Sequence, residues 1–190
     1  MAISPLHCGL YGSRSLKFPL MASNVETTAI DRVLEANQRY APDYDPALVS
    51  PRPRLHLAVL TCMDTRLSYR ALGLRPGDAH LVRNAGGIVT ADALRSLLVS
   101  KYLLGTREIM IVNHTDCGLM KATEEEIRRR IEKEAGVPAS TPVTFHAFRD
   151  VAENVREQMR KLMTHSWIAD TAIRGFVFDV EDGHLREIRL

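Results

Sequence analysis

The stretch that decides the fold is Leu57 to Arg66, LAVLTCMDTR, in which an apolar run ends in a thiol, a carboxylate and a guanidinium. A second stretch, Ile109 to Gly118, repeats the plan as IMIVNHTDCG, and its apolar run ends in His114 and Cys117. Continuous apolar runs of this kind are typical of buried strands in parallel sheets. Because the carboxyl ends of parallel strands meet at one edge of the sheet, we predict that the two stretches build one site.

The regions around these stretches alternate between strand and helix patterns. Strands are predicted over 55–61, 79–83, 108–113, 173–180 and 185–190. Helices are predicted from Asn24 to before Pro42, over 66–74 and 91–104, through the charged run after Glu124, and from about Phe145 to Leu162. The pattern predicts an α/β fold with a mostly parallel central sheet flanked by helices.

Turn and cap residues sharpen two of these boundaries. Thr90 is a good N-cap for the helix over 91–104, and Gly105 supplies its stop. In that helix, Leu97 and Tyr102 are expected to face the core. An Asp182-Gly183 turn separates the last two strands and predicts a C-terminal hairpin that adds an antiparallel edge to the sheet.

Length and composition favour one domain without a nucleic-acid or membrane partner. The chain has 190 residues, 45% of them hydrophobic, which suits a single core, and we expect one domain over 24–190. Its segment 24–54, a thin helix and a proline-rich stretch, is expected to form an N-terminal arm. The 25 basic and 23 acidic residues nearly balance, and apolar runs stay short of the roughly 18 residues that a spanning helix needs.

The number of cysteines and the composition of residues 1–23 bear on the cellular compartment of the protein. Three cysteines are too few for a disulfide framework, so we expect a reducing compartment, the cytoplasm. Residues 1–23 contain no acidic side chain, and their arginine, lysine and serines are shared with transit peptides, which leaves organelle targeting as the alternative. A continuous apolar segment is missing there, so we interpret 1–23 as a disordered extension rather than a secretory signal.

The polar residues at the two strand ends suit a catalytic zinc site. Two thiolates and one imidazole, from Cys62, Cys117 and His114, are zinc ligands, and three protein ligands leave a fourth position open for water. If the backbone stays extended past Cys62, Asp64 and Arg66 point to the same side as the metal. Asp64 then either accepts a hydrogen bond from the water or becomes a conditional fourth ligand, and Arg66 decides between these states by holding the carboxylate.

A glycine-rich turn follows the second strand. Gly86 and Gly87, with Gly118 at the other strand end, let the backbone approach a ligand closely because they carry no Cβ. Ala85, Ile88 and Val89 add apolar surface, so we expect the segment from Ala85 to Val89 to line a substrate pocket. Taken singly, each fragment also suits a buried cysteine, a surface ion pair or a plain turn, and only their coincidence at successive strand ends indicates a site.

The motifs that carry these residues have a family counterpart. Cys62-Met63-Asp64-Thr65-Arg66, Arg83-Asn84-Ala85-Gly86-Gly87 and His114-Thr115-Asp116-Cys117-Gly118 resemble the β-class carbonic anhydrases, in their small bacterial or archaeal branch. The resemblance runs from about residue 25 to the end of the chain. It implies zinc on Cys62, His114 and Cys117, an Asp64 and Arg66 dyad, and reversible hydration of carbon dioxide. It also implies a homodimer or dimer of dimers in which the N-terminal helix packs on the partner subunit.

Three other functions stay open from the sequence. Relatives that hydrolyse carbonyl sulfide or carbon disulfide share the ligands and differ in the gating of the pocket. A zinc-stabilised interaction protein and a thiol redox module that uses Cys62 and Cys117 are the others. For a hydratase, zinc lowers the pKa of water from about 15.7 towards 7. Two thiolates reduce the charge of the ion, so we expect activity to rise into the alkaline range.

Overall fold

The computed structural model describes residues 27–190. Predictions for residues 1–26, namely the disordered extension and Asn24 as the start of a helix, lie outside the described residues. The chain divides into two compact units, one that ends at Tyr44 and one that spans Asp45–Leu190, and each is described by itself. The expectation of one domain over 24–190 stays a prediction.

The unit that ends at Tyr44 is built around the helix α1, Ala29–Tyr40. The Thr28 side chain caps it by accepting a hydrogen bond from the Asp31 backbone N–H, and the Asp31 side chain accepts from the Thr28 backbone N–H in return. This capping box satisfies two of the amides that a helix leaves free at its start. A short 3₁₀ turn, Ala41–Asp43, follows, and no residue of α1 is buried.

The unit Asp45–Leu190 contains a five-stranded sheet and three helices. In chain order the elements are β1 (Leu57–Cys62), β2 (Ala79–Asn84), α2 (Ala91–Leu104), β3 (Glu108–His114), α3 (Glu124–Ala135), α4 (Val151–Met163), β4 (Ala172–Phe178) and β5 (Leu185–Ile188). The strands lie in the order β2-β1-β3-β4-β5, and only the β4–β5 pair is antiparallel. The predicted α/β fold with an antiparallel C-terminal edge is confirmed.

The core lies on both faces of this sheet, which explains why β1 is apolar almost throughout. Successive residues of a strand point to opposite faces. Ala58 accordingly packs in a cluster with Leu97 of α2 and Val155 of α4, whereas Val59 packs in a second cluster with Leu67. Burial on both faces fixes the end of β1, and therefore Cys62, against its neighbours.

Three local predictions are wrong. Residues 66–74 form a series of turns rather than a helix, closed by bonds such as the one from the Leu67 backbone N–H to the Asp64 carbonyl. Helix α4 begins at Val151 instead of about Phe145, because Asp150 caps it and His146 has a left-handed φ of 57° that no helix accommodates. Tyr102 is 60% exposed instead of facing the core.

The caps of α2 are confirmed, with Thr90 at its start and Gly105 in the left-handed conformation at its end. Within residues 27–190, none of the helices combines the length and the apolar content needed to cross a membrane.

Candidate metal centre

Three potential metal ligands meet where two adjacent strands end. Cys62 is the last residue of β1, His114 is the last residue of β3, and Cys117 follows in the next turn. Strands β1 and β3 are parallel neighbours, so their carboxyl ends lie side by side. The ligand atoms of the three residues all lie within 4.8 Å of one another, and all three residues are at least 95% buried. The sequence-predicted ligand set is therefore brought together in space.

The imidazole of this group presents a free lone pair. The Nδ1 atom of His114 donates to the Thr115 carbonyl at 2.8 Å, which leaves the other ring nitrogen as the acceptor. That nitrogen, Nε2, is buried and has no hydrogen-bond partner in the described part of the chain. Because a buried polar atom without a partner is costly, an unpaired Nε2 beside two thiols fits a metal ion as its missing partner.

The two thiols influence each other's ionisation. A hydrogen bond from Cys117 lowers the pKa of the Cys62 thiol, and the Gly86 backbone N–H, 3.3 Å from Cys62 Sγ, acts in the same direction. The same contact between the sulfurs, together with burial, raises the pKa of Cys117. Ionisation of one sulfur thus disfavours ionisation of the other, and a bound cation would favour the thiolate form of both.

Asp64 and Arg66 form a closed ion pair beside the ligand group. Arg66 Nη2 donates to Asp64 Oδ2 at 2.8 Å, and Arg66 Nε and its backbone N–H donate to Oδ1 at 3.0 and 2.9 Å. These bonds hold the pKa of the Asp64 carboxyl well below its usual range. Asp64 Oδ2 lies 3.9 Å from His114 Nε2. The carboxylate is thus ionised, restrained by Arg66 and adjacent to the free lone pair.

Two further charged residues, which the sequence analysis missed, support this pair. Asp116 accepts from Arg66 Nη1 at 3.1 Å and pairs with Lys121 Nζ at 2.6 Å. Arg83 donates to the backbone carbonyls of Cys62 and Asp64 and so fixes the chain between ligand and carboxylate. Asp116 and Arg83 both lie inside the quoted sequence motifs, and this position is the signal from which their role at the site could have been predicted.

The glycine turn packs directly on the ligand strand. Gly86 and Gly87 have φ values of 81° and 63°, in the left-handed region that favours glycine. A Cβ on Gly87 would lie 2.6 Å from Asn113 Nδ2 and 3.1 Å from the Cys62 backbone nitrogen. Both glycines thus let the turn pack closely on its protein neighbours, whereas their approach to a ligand stays a prediction. At Gly118 a Cβ would meet no protein atom within 4 Å, so the packing there does not require glycine, and the expected approach to a ligand stays a prediction.

The residues of the segment from Ala85 to Val89, which we expect to line a pocket, differ in burial and in what they contact. Ala85 is exposed, Ile88 is buried, and the Val89 side chain packs against the core cluster that includes Leu97. Leu119 lies against Gly86 and adds apolar surface there. The side chain of Asn84 holds the segment by bonding the Ile88 backbone N–H and carbonyl, both at 2.8 Å.

Three buried amide side chains near this segment were also missed from the sequence. Asn113, Asn154 and Gln158 are each at least 96% buried. Asn113 interrupts the apolar run of β3 just before His114, and the other two interrupt the apolar stripe of α4 four residues apart. Polar residues at core positions of otherwise apolar elements were the signal, because buried polar groups require partners.

Comparison with known proteins finds a family model, curated relatives and a solved structure that agree with one another. The carbonic anhydrase family model matches residues 57–185. Beta-carbonic anhydrase 1 of Mycobacterium tuberculosis is 42% identical over 164 residues, which cover 85% of this chain and 98% of the relative. A crystal structure of carbonic anhydrase from Streptococcus mutans superposes with a TM-score of 0.78 at 40% identity, covering 85% of this chain and 98% of that one. A carbon disulfide hydrolase of Acidithiobacillus thiooxidans is 38% identical over 151 residues, covering 68% of this chain and 75% of the relative.

Proposed function

The chain belongs to the β-carbonic anhydrase family, and on that basis we propose that it hydrates carbon dioxide reversibly to bicarbonate and a proton at the centre formed by Cys62, His114 and Cys117. The observation that carries this proposal is the buried ligand group with the unpaired His114 Nε2. Zinc is the cofactor of this family, and Cys62, His114 and Cys117 would hold it here. When bound, zinc lowers the pKa of water and supplies hydroxide at neutral pH.

Asp64 and Arg66 are proposed to control the attacking water. Asp64 Oδ2 accepts a hydrogen bond from this water, a role supported by its 3.9 Å separation from His114 Nε2. Arg66 holds both carboxylate oxygens and so keeps Asp64 from becoming a ligand itself. Asp116, which bonds the same guanidinium, limits the positions that Arg66 can adopt. With Asp64 held in this way, a fourth position beside Cys62, His114 and Cys117 would stay open for water when zinc is bound.

The glycine turn is proposed to bound the substrate pocket on the apolar side. Ile88 and Leu119 flank Gly86, and both offer only carbon atoms to a small linear molecule. Carbon dioxide has no net dipole, so it gains from an apolar wall, whereas bicarbonate is charged and leaves towards the exposed Arg66. Of the residues predicted for this pocket, Val89 turns its side chain to the core and its backbone N–H to Gln158, so we assign the apolar wall to Ile88 and Leu119.

The deciding experiment measures carbon dioxide hydration by stopped flow across pH, alongside zinc content, on the purified protein. We expect one zinc per subunit and a rate that rises into the alkaline range, because two thiolates reduce the acidity that the ion confers on water. A plateau already reached at acidic pH would contradict the ligand set. Stoichiometric zinc without hydration would contradict the function.

Hydrolysis of carbon disulfide or carbonyl sulfide is the second candidate. It is favoured by the 38% identical carbon disulfide hydrolase, a relative that covers two thirds of this chain. The same protein preparation, supplied in turn with carbon dioxide, carbonyl sulfide and carbon disulfide, ranks the three by kcat/KM. We expect carbon dioxide to exceed both sulfur compounds, and the reverse order would replace the first proposal by this one.

Assembly as a homodimer or dimer of dimers, in the cytoplasm, completes the proposal. Helix α1 supports it because the side chains of Ile30, Val33 and Leu34 are exposed along one face, which a partner subunit would cover. Light scattering with size-exclusion chromatography tests the assembly, and Leu34→Glu should shift the native oligomer towards monomer. A native protein that elutes as a monomer would contradict it.

A further inference from the structure

We propose that Asn113, Asn154 and Gln158 act as positioning residues: their side-chain amides form a relay that holds the glycine turn, and through it the N–H bond to Cys62 Sγ, in place. The three residues come from two elements, β3 and α4, neither of which supplies the turn itself. The inference rests on the proposed function for its activity readout only. The geometry itself, which ends at the hydrogen bond to Cys62 Sγ, does not depend on that function.

The relay is a chain of hydrogen bonds that the backbone between Gly86 and Val89 closes into a ring. Asn113 Nδ2 donates to the Gly86 carbonyl at 2.7 Å, and Asn113 Oδ1 accepts from Asn154 Nδ2 at 2.8 Å. Asn154 Oδ1 accepts from Gln158 Nε2 at 2.9 Å, and Gln158 Oε1 accepts from the Val89 backbone N–H at 2.9 Å. The ring thus begins and ends on the same short segment and grips it at Gly86 and Val89.

The two ends dictate the direction of every amide between them. A backbone carbonyl only accepts and a backbone N–H only donates, so Asn113 must turn its NH₂ group to Gly86 and Gln158 must turn its oxygen to Val89. Asn154 then has one orientation that satisfies both neighbours. Since all three side chains are almost fully buried, water does not replace a broken link, and loss of one amide leaves two others unpaired.

The ring reaches the metal centre through one peptide unit. Gly86, whose carbonyl accepts from Asn113, also donates its N–H to Cys62 Sγ at 3.3 Å. Hydrogen bonds to a ligating sulfur tune its charge and its position, and such supporting contacts typically change metal affinity or activity by about 10–100-fold when removed. The relay therefore links helix α4 to the electronic state of one ligand without contacting that ligand.

The test uses the cobalt-substituted protein, whose thiolate-to-cobalt absorption band reports hydrogen bonding to the sulfur, together with kcat of the zinc enzyme. Gln158→Met keeps the side-chain length and removes both of its relay bonds. We expect cobalt to bind one per subunit, the band to shift, and kcat to fall about tenfold. Asn154→Ser, which shortens the relay but keeps a hydroxyl, should shift the band in the same direction if Gln158→Met does not fold.

Met159→Ala is the matched control, since Met159 is a buried residue of the same helix that takes no part in the ring. It should lower the unfolding temperature and leave band and kcat as in the native protein. An unshifted band in both relay variants overturns the inference, as does an equal shift in Met159→Ala. If the native zinc enzyme hydrates no carbon dioxide, the proposed function fails, and the cobalt band still decides on the relay.

Discussion

The ligand cluster and the Asp64–Arg66 pair adjoin each other but are stabilised in opposite ways. The side chain of His114 is 1% exposed and its Nε2 has no partner among the described residues, whereas the side chain of Arg66 is 42% exposed and satisfies both Asp64 oxygens. Core packing thus holds the cluster, and a bound cation would be the partner of Nε2. In the Asp64–Arg66 pair the two charges neutralise each other, and solvent reaches both side chains. From this difference we expect metal retention and control of the attacking water to be separable properties of this site.

The largest effect is expected from Cys62→Ser. A serine hydroxyl stays protonated at neutral pH and is a poor zinc ligand, so both zinc and hydration should be lost completely. Elemental analysis and stopped-flow kinetics on the same sample measure the two properties. The control is Met63→Ala, which alters the exposed neighbour and should keep both. Native metal content in Cys62→Ser would refute its assignment as a ligand.

Asp64→Asn should separate the two regions. The amide no longer accepts through both oxygens and carries no charge, so kcat should fall by about 10²–10⁴-fold. Zinc content should stay at the native value, because the buried cluster is intact. If the variant loses zinc in proportion to activity, metal retention and control of the water are not separable.

Arg66→Lys should have a smaller effect on the same readout. A lysine ammonium is a single point charge and cannot bond both carboxylate oxygens in the fork geometry of arginine. We expect about a tenfold fall in kcat with native zinc, since supporting contacts usually contribute at that level. A loss as large as that of Asp64→Asn would mean that the guanidinium itself contacts the substrate.

The smallest effect concerns a carboxylate outside both regions. The backbone N–H groups of Phe145 and Ala147 donate to Glu124 and lower its pKa. A lowered pKa adds stability that is fully present above the ordinary value of about 4.3 and is lost as the pH falls through the lowered value.

Glu124→Gln should therefore lower the unfolding midpoint by about 2 °C at pH 7, and the difference should vanish at strongly acidic pH. Thermal unfolding at pH 2.5 to 7 measures it. Glu125→Gln, on the same helix turn, is the control and should show a weaker effect, because within residues 27–190 Glu125 bonds only the exposed Arg129. A constant difference at every pH would contradict the pKa argument.

The strand ends could be predicted because both faces of β1 and β3 are apolar, and such runs have few alternative structures. Thr90 and Gly105 were predictable because capping depends on local chemistry. The start of α4 was not, because the backbone at Phe145 and Ala147 is bonded by Glu124, which lies 21 and 23 residues away in the sequence. Asn113 and Gln158 escaped for the same reason: their partners lie far away in the sequence.

The amide relay also has a consequence for proton traffic. Asparagine and glutamine side chains neither gain nor lose a proton at neutral pH, and each link of the ring already points one way. The relay therefore offers no route for protons between the glycine turn and helix α4. For the proposed hydration we therefore expect the released proton to leave by another path, on the solvent side where Asp64 and Arg66 lie, and to be taken up there by buffer molecules.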